Sequence, residues 1–112
     1  MHELGISRNI VAIVSETANG RRVRRVTLEI GKLSGVMTDA LLFCFDAVAL
    51  GTVLEGAALE IREIEGRARC VACGAEFDVP TLLEACGCGS RRLTHLAGEE
   101  LNIATMELEE VA

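Results

Sequence analysis

The sequence predicts an α+β fold: two helices and a small three-stranded sheet, with a cysteine-bearing module inserted between two of the strands. Three observations predict it. Apolar residues recur at helical spacing near residues 4–18 and 40–50. They alternate with polar residues in three other stretches. Between the second and third of these lie two close pairs of cysteines, Cys70 with Cys73 and Cys86 with Cys88.

The elements follow in order. Among Leu4, Ile6, Ile10, Val11, Ile13 and Val14, steps of three and four mark one face of a helix. Asn19-Gly20 stops it, because both residues tolerate the left-handed conformation at a helix end. Val26, Leu28 and Ile30 alternate with Thr27 and Glu29, which predicts a strand with one buried face, ended by Gly31. Lys32 to Thr38 reads as a loop. Thr38 or Asp39 is placed to cap a second helix over about Ala40–Leu50, with Leu41, Leu42, Phe45, Val48 and Ala49 inward and Gly51 as the stop. Leu59 and Ile61 alternate with Glu60 and Arg62 in a second strand. Leu101 and Ile103 open a third, whose alternation slips at Thr105-Met106, where a bulge is expected. The division expected is a helix–sheet domain over residues 1–66, completed by 98–112, and a metal-binding module over 67–97.

Composition narrows the chemistry. Of 112 residues half are apolar, but aromatics are limited to three Phe, so Leu, Ile, Val and Ala must build the core. The net charge of −6 argues against a phosphate-binding surface. No apolar run approaches the roughly 20 residues that span a bilayer, and Met1-His2-Glu3 lacks the basic start of a signal peptide. A cytoplasmic protein is expected, in which cysteines indicate metal binding or redox chemistry before disulfides.

Cys70-Val-Ala-Cys73, twelve residues, and Cys86-Gly-Cys88 form the pattern of a zinc knuckle or ribbon, in which four thiolates surround one tetrahedral ion. Gly74, Gly87 and Gly89 favour the tight turns this needs. A module of about 30 residues is too small to fold on its own apolar surface, here Val71, Phe77, Val79, Leu82, Leu83 and Leu93, so the metal must staple it. The second pair is one residue shorter than C-x-x-C. Either all four cysteines bind, or one of Cys86 and Cys88 is free and His95 or water completes the site. Two other readings compete. A dithiol oxidoreductase would put C-x-x-C at a helix start after a strand, whereas Cys73 leads into Gly-Ala-Glu-Phe-Asp-Val, a turn into a short strand. A nucleic-acid or transcription accessory would need a basic face, but Arg67, Arg69, Arg91 and Arg92 stand against Glu76, Asp78 and Glu84, with Phe77 the one stacking aromatic. Cys44, between Phe43 and Phe45, reads as a small buried apolar residue.

The N-terminus is a second ligand set. The Met1 amine and the adjacent amide close a five-membered chelate ring on a metal. The His2 imidazole closes a six-membered one, and Glu3 adds an oxygen. Nitrogen-rich sites of this kind suit Ni²⁺ or Cu²⁺. α-Amines titrate near ~7.7–8.0 and imidazoles near ~6.5, so protons compete with metal in the physiological range, as a reversible carrier requires.

Together with that start and the paired cysteines, several phrases resemble the HypA/HybF family of hydrogenase nickel-incorporation proteins. They are Leu28-Glu29-Ile30-Gly31-Lys32-Leu33-Ser34, Phe43-Cys44-Phe45-Asp46, Gly51-Thr52 with Glu55-Gly56-Ala57, Cys88-Gly89-Ser90 and Gly98-Glu99-Glu100-Leu101. The chain departs from the family at the second cysteine pair, commonly C-P-x-C. The resemblance implies a metallochaperone, not an enzyme. It would deliver Ni(II) to the [NiFe]-hydrogenase large subunit with a HypB-type GTPase, and in some organisms serve urease. It implies nickel ligands at Met1, His2 and Glu3, with Asp39 a loose further candidate, and structural Zn(II) on Cys70, Cys73, Cys86 and Cys88. Monomer and homodimer both remain open. Gly31-Lys32-Leu33-Ser34 lacks the phosphate loop of a nucleotide site, so GTP turnover must belong to the partner.

Overall fold

A computed structural model describes residues 2–110. The elements are α1 (Glu3–Ala18), β1 (Val23–Gly31), α2 (Thr38–Ala49), β2 (Ala58–Ile64), β3 (Arg67–Cys70), β4 (Glu76–Asp78), β5 (Leu93–Ala97) and β6 (Leu101–Leu108). They form one three-stranded sheet in the order β2-β1-β6 and a second in the order β4-β3-β5. The α+β class, the two helices, and the insertion of the cysteine segment between β2 and β6 are as the sequence predicts. Among the described residues no helix is long and apolar enough to cross a membrane.

The chain divides into two compact units. The first holds the described parts of Met1–Leu28, Val36–Arg62 and Ile103–Ala112. Here α1 buries Ser7, Ile10, Val11, Val14 and Ala18, a stripe at spacings of three and four. Leu4 and Ile13, expected inward, are exposed. The buried stripe runs through Ser7 and Ala18 instead, and the Ser7 hydroxyl donates to the Leu41 carbonyl of α2 at 3.4 Å. Asn19 ends α1 in the left-handed conformation (φ 50°, ψ 51°), its amide donating to Ser15 O. From α2 come Leu41, Phe45 and Ala49. Leu42, expected with them, faces solvent, because residues 41, 45 and 49 recur every four positions and 42 lies beside that row. Neither Thr38 nor Asp39 caps α2. Met37 is the N-cap residue, with no side-chain cap of its own.

β1 is the central strand. Its buried residues include Val26, Leu28 and Ile30, as the alternation predicts, and also Thr27. Thr27 lies among Arg25, Glu60, Arg62 and Glu107. Ion pairs cross that polar face: Arg25 meets Glu60 at 3.3 Å and Glu107 at 3.2 Å. Exposed pairs of this kind contribute at most about 1 kcal/mol each, so the apolar face carries most of the stability.

The second unit comprises Glu29–Gly35 and Glu63–Asn102. Its central strand β3 pairs antiparallel with β4 (Arg67↔Asp78, Ala68↔Phe77, Arg69↔Glu76) and with β5 (Ala68↔His95, Cys70↔Leu93), with a register shift between Arg67 and Ala68. The core is Leu33, Ala68 and Val79, flanked by Phe77 and Leu93. Of the apolar residues expected here, Val71, Leu82 and Leu83 are exposed. Leu33, from the segment read as a loop, replaces them. The backbone holds Leu33 there: Gly31 N donates to Glu100 O at 2.8 Å, Lys32 N to Ile64 O at 2.9 Å and Leu33 N to Gly98 O at 2.7 Å. A Cβ on Gly98 would meet Gly66 Cα at 2.7 Å and Leu33 Cδ1 at 2.9 Å. Glycine therefore sits where three backbone segments converge on Leu33.

Candidate metal centres

The four paired cysteines come together. Their sulfurs all lie within 4.8 Å of one another, and none is in a disulfide. Each pair rides on a hydrogen-bonded turn. In the first, Gly74 N donates to Cys70 O at 2.9 Å and Cys70 N to Ala75 O at 2.8 Å, with Gly74 at φ +79°. In the second, Gly89 N donates to Cys86 O at 2.8 Å and Cys86 N to Ser90 O at 2.9 Å, with Gly89 at φ +93°. Gly87, also expected to relax the turn, is not among the positive-φ glycines. The shorter second turn still presents both sulfurs.

The pairing is crossed. Cys70 and Cys86 are buried, Cys73 and Cys88 exposed. Cys70 Sγ lies 3.7 Å from Cys88 Sγ, and Cys73 Sγ lies 3.5 Å from Cys86 Sγ. Zinc–sulfur bonds of about 2.3 Å in a tetrahedron put neighbouring sulfurs about 3.8 Å apart, so the spacing fits one such ion. The electrostatics fit too. The Cys70 thiol is lowered to about 6, first by the backbone N–H of Cys73 and further by that of Ala72 and the neighbouring thiols, against burial. At Cys86 the backbone N–H of Cys88 pulls down, but burial and the thiols of Cys73, Cys88 and Cys70 outweigh it and push the group up to about 12. Four thiols this close cannot all ionise alone, and a divalent cation supplies the compensating charge.

His95, the alternative ligand, stands on β5 with Nδ1 3.2 Å from Glu99 Oε1, and the sulfur cluster is formed by the four cysteines without it. The competing readings lose ground here. A dithiol site has no use for the second pair. Arg67 is bound to Asp78 at 2.9 Å and Arg69 to Glu76 at 3.1 Å, so two of the module's four arginines already have anionic partners. Cys44 is half-buried on α2 and takes no part in the cluster.

At the N-terminus, the Met1 amine lies outside the described residues. His2 is exposed and forms the N-cap of α1 (φ −89°, ψ 86°). Its carbonyl accepts the first helical bond, from Ile6 N at 3.0 Å, while no side-chain bond caps the helix. Glu3 Oε2 accepts the Met37 amide at 3.1 Å. That bond is the main cause holding the Glu3 carboxyl below its usual range, with its own backbone amide next. Asp39 is exposed in the first turn of α2, two residues beyond the amide that Glu3 holds. The Glu3–Met37 bond was not legible in the sequence, since it joins positions 34 apart and neither residue type announces it.

A family model described as "Hydrogenase/urease nickel incorporation, metallochaperone, hypA" matches residues 1–108. A Nostoc sp. protein named hydrogenase maturation factor HypA is 60% identical over 111 residues, covering 99% of this chain and 98% of that one. A protein of the same name from Geobacter metallireducens is 46% identical over 110 residues, covering 97% and 100%. The solution structure of the Ni metallochaperone HypA from Helicobacter pylori superposes with a TM-score of 0.70 at 22% identity, covering 96% of this chain and 97% of that one, a likeness of fold. The chain belongs to the HypA family of hydrogenase/urease nickel-incorporation metallochaperones.

Proposed function

We propose that the protein carries Ni(II) at its own N-terminus and hands it on, while Zn(II) on Cys70, Cys73, Cys86 and Cys88 staples the cysteine module. Nickel is held by the Met1 amine together with the amide and imidazole of His2. Glu3 follows them directly, with its carboxylate on the Met37 amide. The observation that carries the reading is the position of His2. Its main chain is fixed by the helix bond to Ile6 and its exposed side chain remains open to a metal. The unit that holds α1 and α2 serves as the nickel-binding domain, and the cysteine-bearing unit, with Leu33 in its core, as the zinc module.

The recipient is the [NiFe]-hydrogenase large subunit or a urease maturation protein, and a HypB-type GTPase supplies the nucleotide-driven step. The chain itself is a carrier, works in the cytoplasm, and catalyses no reaction. An open N-terminal chelate of nitrogens suits this better than the closed tetrathiolate, because four sulfur ligands around a tetrahedral ion leave no position for a second metal.

The test is metal analysis of protein with a native, unblocked start. One zinc per chain is expected before nickel is added, and one zinc plus one nickel after. X-ray absorption should show sulfur around zinc, and nitrogen and oxygen around nickel. Sulfur around nickel, with zinc displaced, would contradict the assignment.

A further inference from the structure

Glu3 belongs to the N-terminal ligand segment, yet its carboxylate is already engaged. Oε2 takes the Met37 amide at 3.1 Å, the free N–H at the start of α2. A few residues on, the Ser7 hydroxyl bonds the Leu41 carbonyl. Both bonds join the first turns of α1 to the start of α2. The first residue of that pairing follows His2. Its α2 end lies two residues from Asp39, an exposed carboxylate.

We infer that Glu3 serves the nickel site as a positioning residue rather than as an oxygen donor, tying the start of α2, with Asp39, to the segment that carries His2. The inference rests on the N-terminal nickel reading above and deepens it. The physical argument is competition. A carboxylate that accepts a helix N-terminal amide gains a charge-assisted hydrogen bond and a favourable place at the positive end of the helix dipole. Moving it onto nickel would leave the Met37 N–H without its acceptor. The Met1 amine and the His2 nitrogens already supply chelate rings without it. What the metal gains from Glu3 is a fixed approach: His2 is the α1 N-cap, and the clamp fixes the residue after it against a second helix.

Three variants separate positioning from donation. Glu3→Gln keeps an oxygen that accepts the Met37 amide but removes the anionic donor. Glu3→Ala removes both. Met37→Pro removes the amide and leaves the carboxylate untouched; proline is tolerated at a helix start, and Met37 already has φ −85°. Zinc content and far-ultraviolet circular dichroism establish that each variant is folded. Nickel affinity is read by calorimetry with His2→Ala alongside, and the Met37 amide is followed by NMR except in the proline variant.

Positioning predicts that Glu3→Ala and Met37→Pro each weaken nickel by about fivefold, the size of a lost helix cap. Glu3→Gln should recover most of that loss, and its Met37 amide resonance should stay closer to the wild-type position than to that of Glu3→Ala. The opposite pattern, with Gln as weak as Ala while Met37→Pro binds like the wild type, would make Glu3 a nickel donor and overturn this inference alone. If His2→Ala bound nickel as tightly as the wild type, the N-terminal reading would fall, and this role with it.

Discussion

At the scale of single residues, the crossed pairing of sulfurs decides what each cysteine does. Cys70 and Cys86 lie buried beneath the cluster, and Cys73 and Cys88 face solvent, yet all four stand close enough for one tetrahedral ion. Losing an exposed ligand should therefore cost as much as losing a buried one, since three sulfurs do not close the site. Cys73→Ser is expected to release zinc and to disorder residues 67–97 while α1 and α2 keep their structure. A chelation-competition assay would read the zinc, and amide NMR the two units. Zinc retained at full stoichiometry would contradict the four-sulfur site. These cysteines were legible from spacing alone, because a metal site imposes a local pattern. The second pair, one residue short, still closed a turn because Gly89 takes positive φ. Glu3 was only half legible. The ligand segment was visible, but the bond to Met37 comes from tertiary approach, which no local pattern encodes.

At the scale of elements, periodicity located every helix and strand of the first sheet and misjudged which residues they bury. The α1 stripe is set by Ser7 and Ala18 as much as by Ile10, Val11 and Val14, and a hydrophobicity pattern passes over a serine. The capping residue of α2 was misread for a related reason. Thr38 and Asp39 are good cap types, but here the start of α2 is Met37, and its amide is satisfied by a carboxylate from α1. Leu33 is the largest surprise, a core residue of the cysteine-bearing unit supplied from about thirty positions upstream. It follows that the staple is not the unit's only support. Leu33→Ala should destabilise the second unit by about 2–5 kcal/mol, as for other buried leucines. Urea unfolding of the zinc-loaded protein, followed at amides of β3, checks this; an unchanged midpoint there would mean that zinc alone carries the unit.

At the scale of the molecule, two metals with different tasks occupy one short acidic chain. Zinc is assigned to the four clustered sulfurs, which lie within 4.8 Å of one another. Nickel is assigned to nitrogens at the chain start, where exposure permits release. The two sets draw on different donors and different parts of the sequence, so each should load without the other. The decisive measurement is calorimetric titration of nickel into three proteins at matched zinc content: the native chain, His2→Ala, and a chain extended before Met1, which turns the chelating amine into an amide. The native protein should bind one nickel, and the other two should lose that specific site while keeping zinc and fold. Equal nickel binding by all three would contradict an N-terminal site.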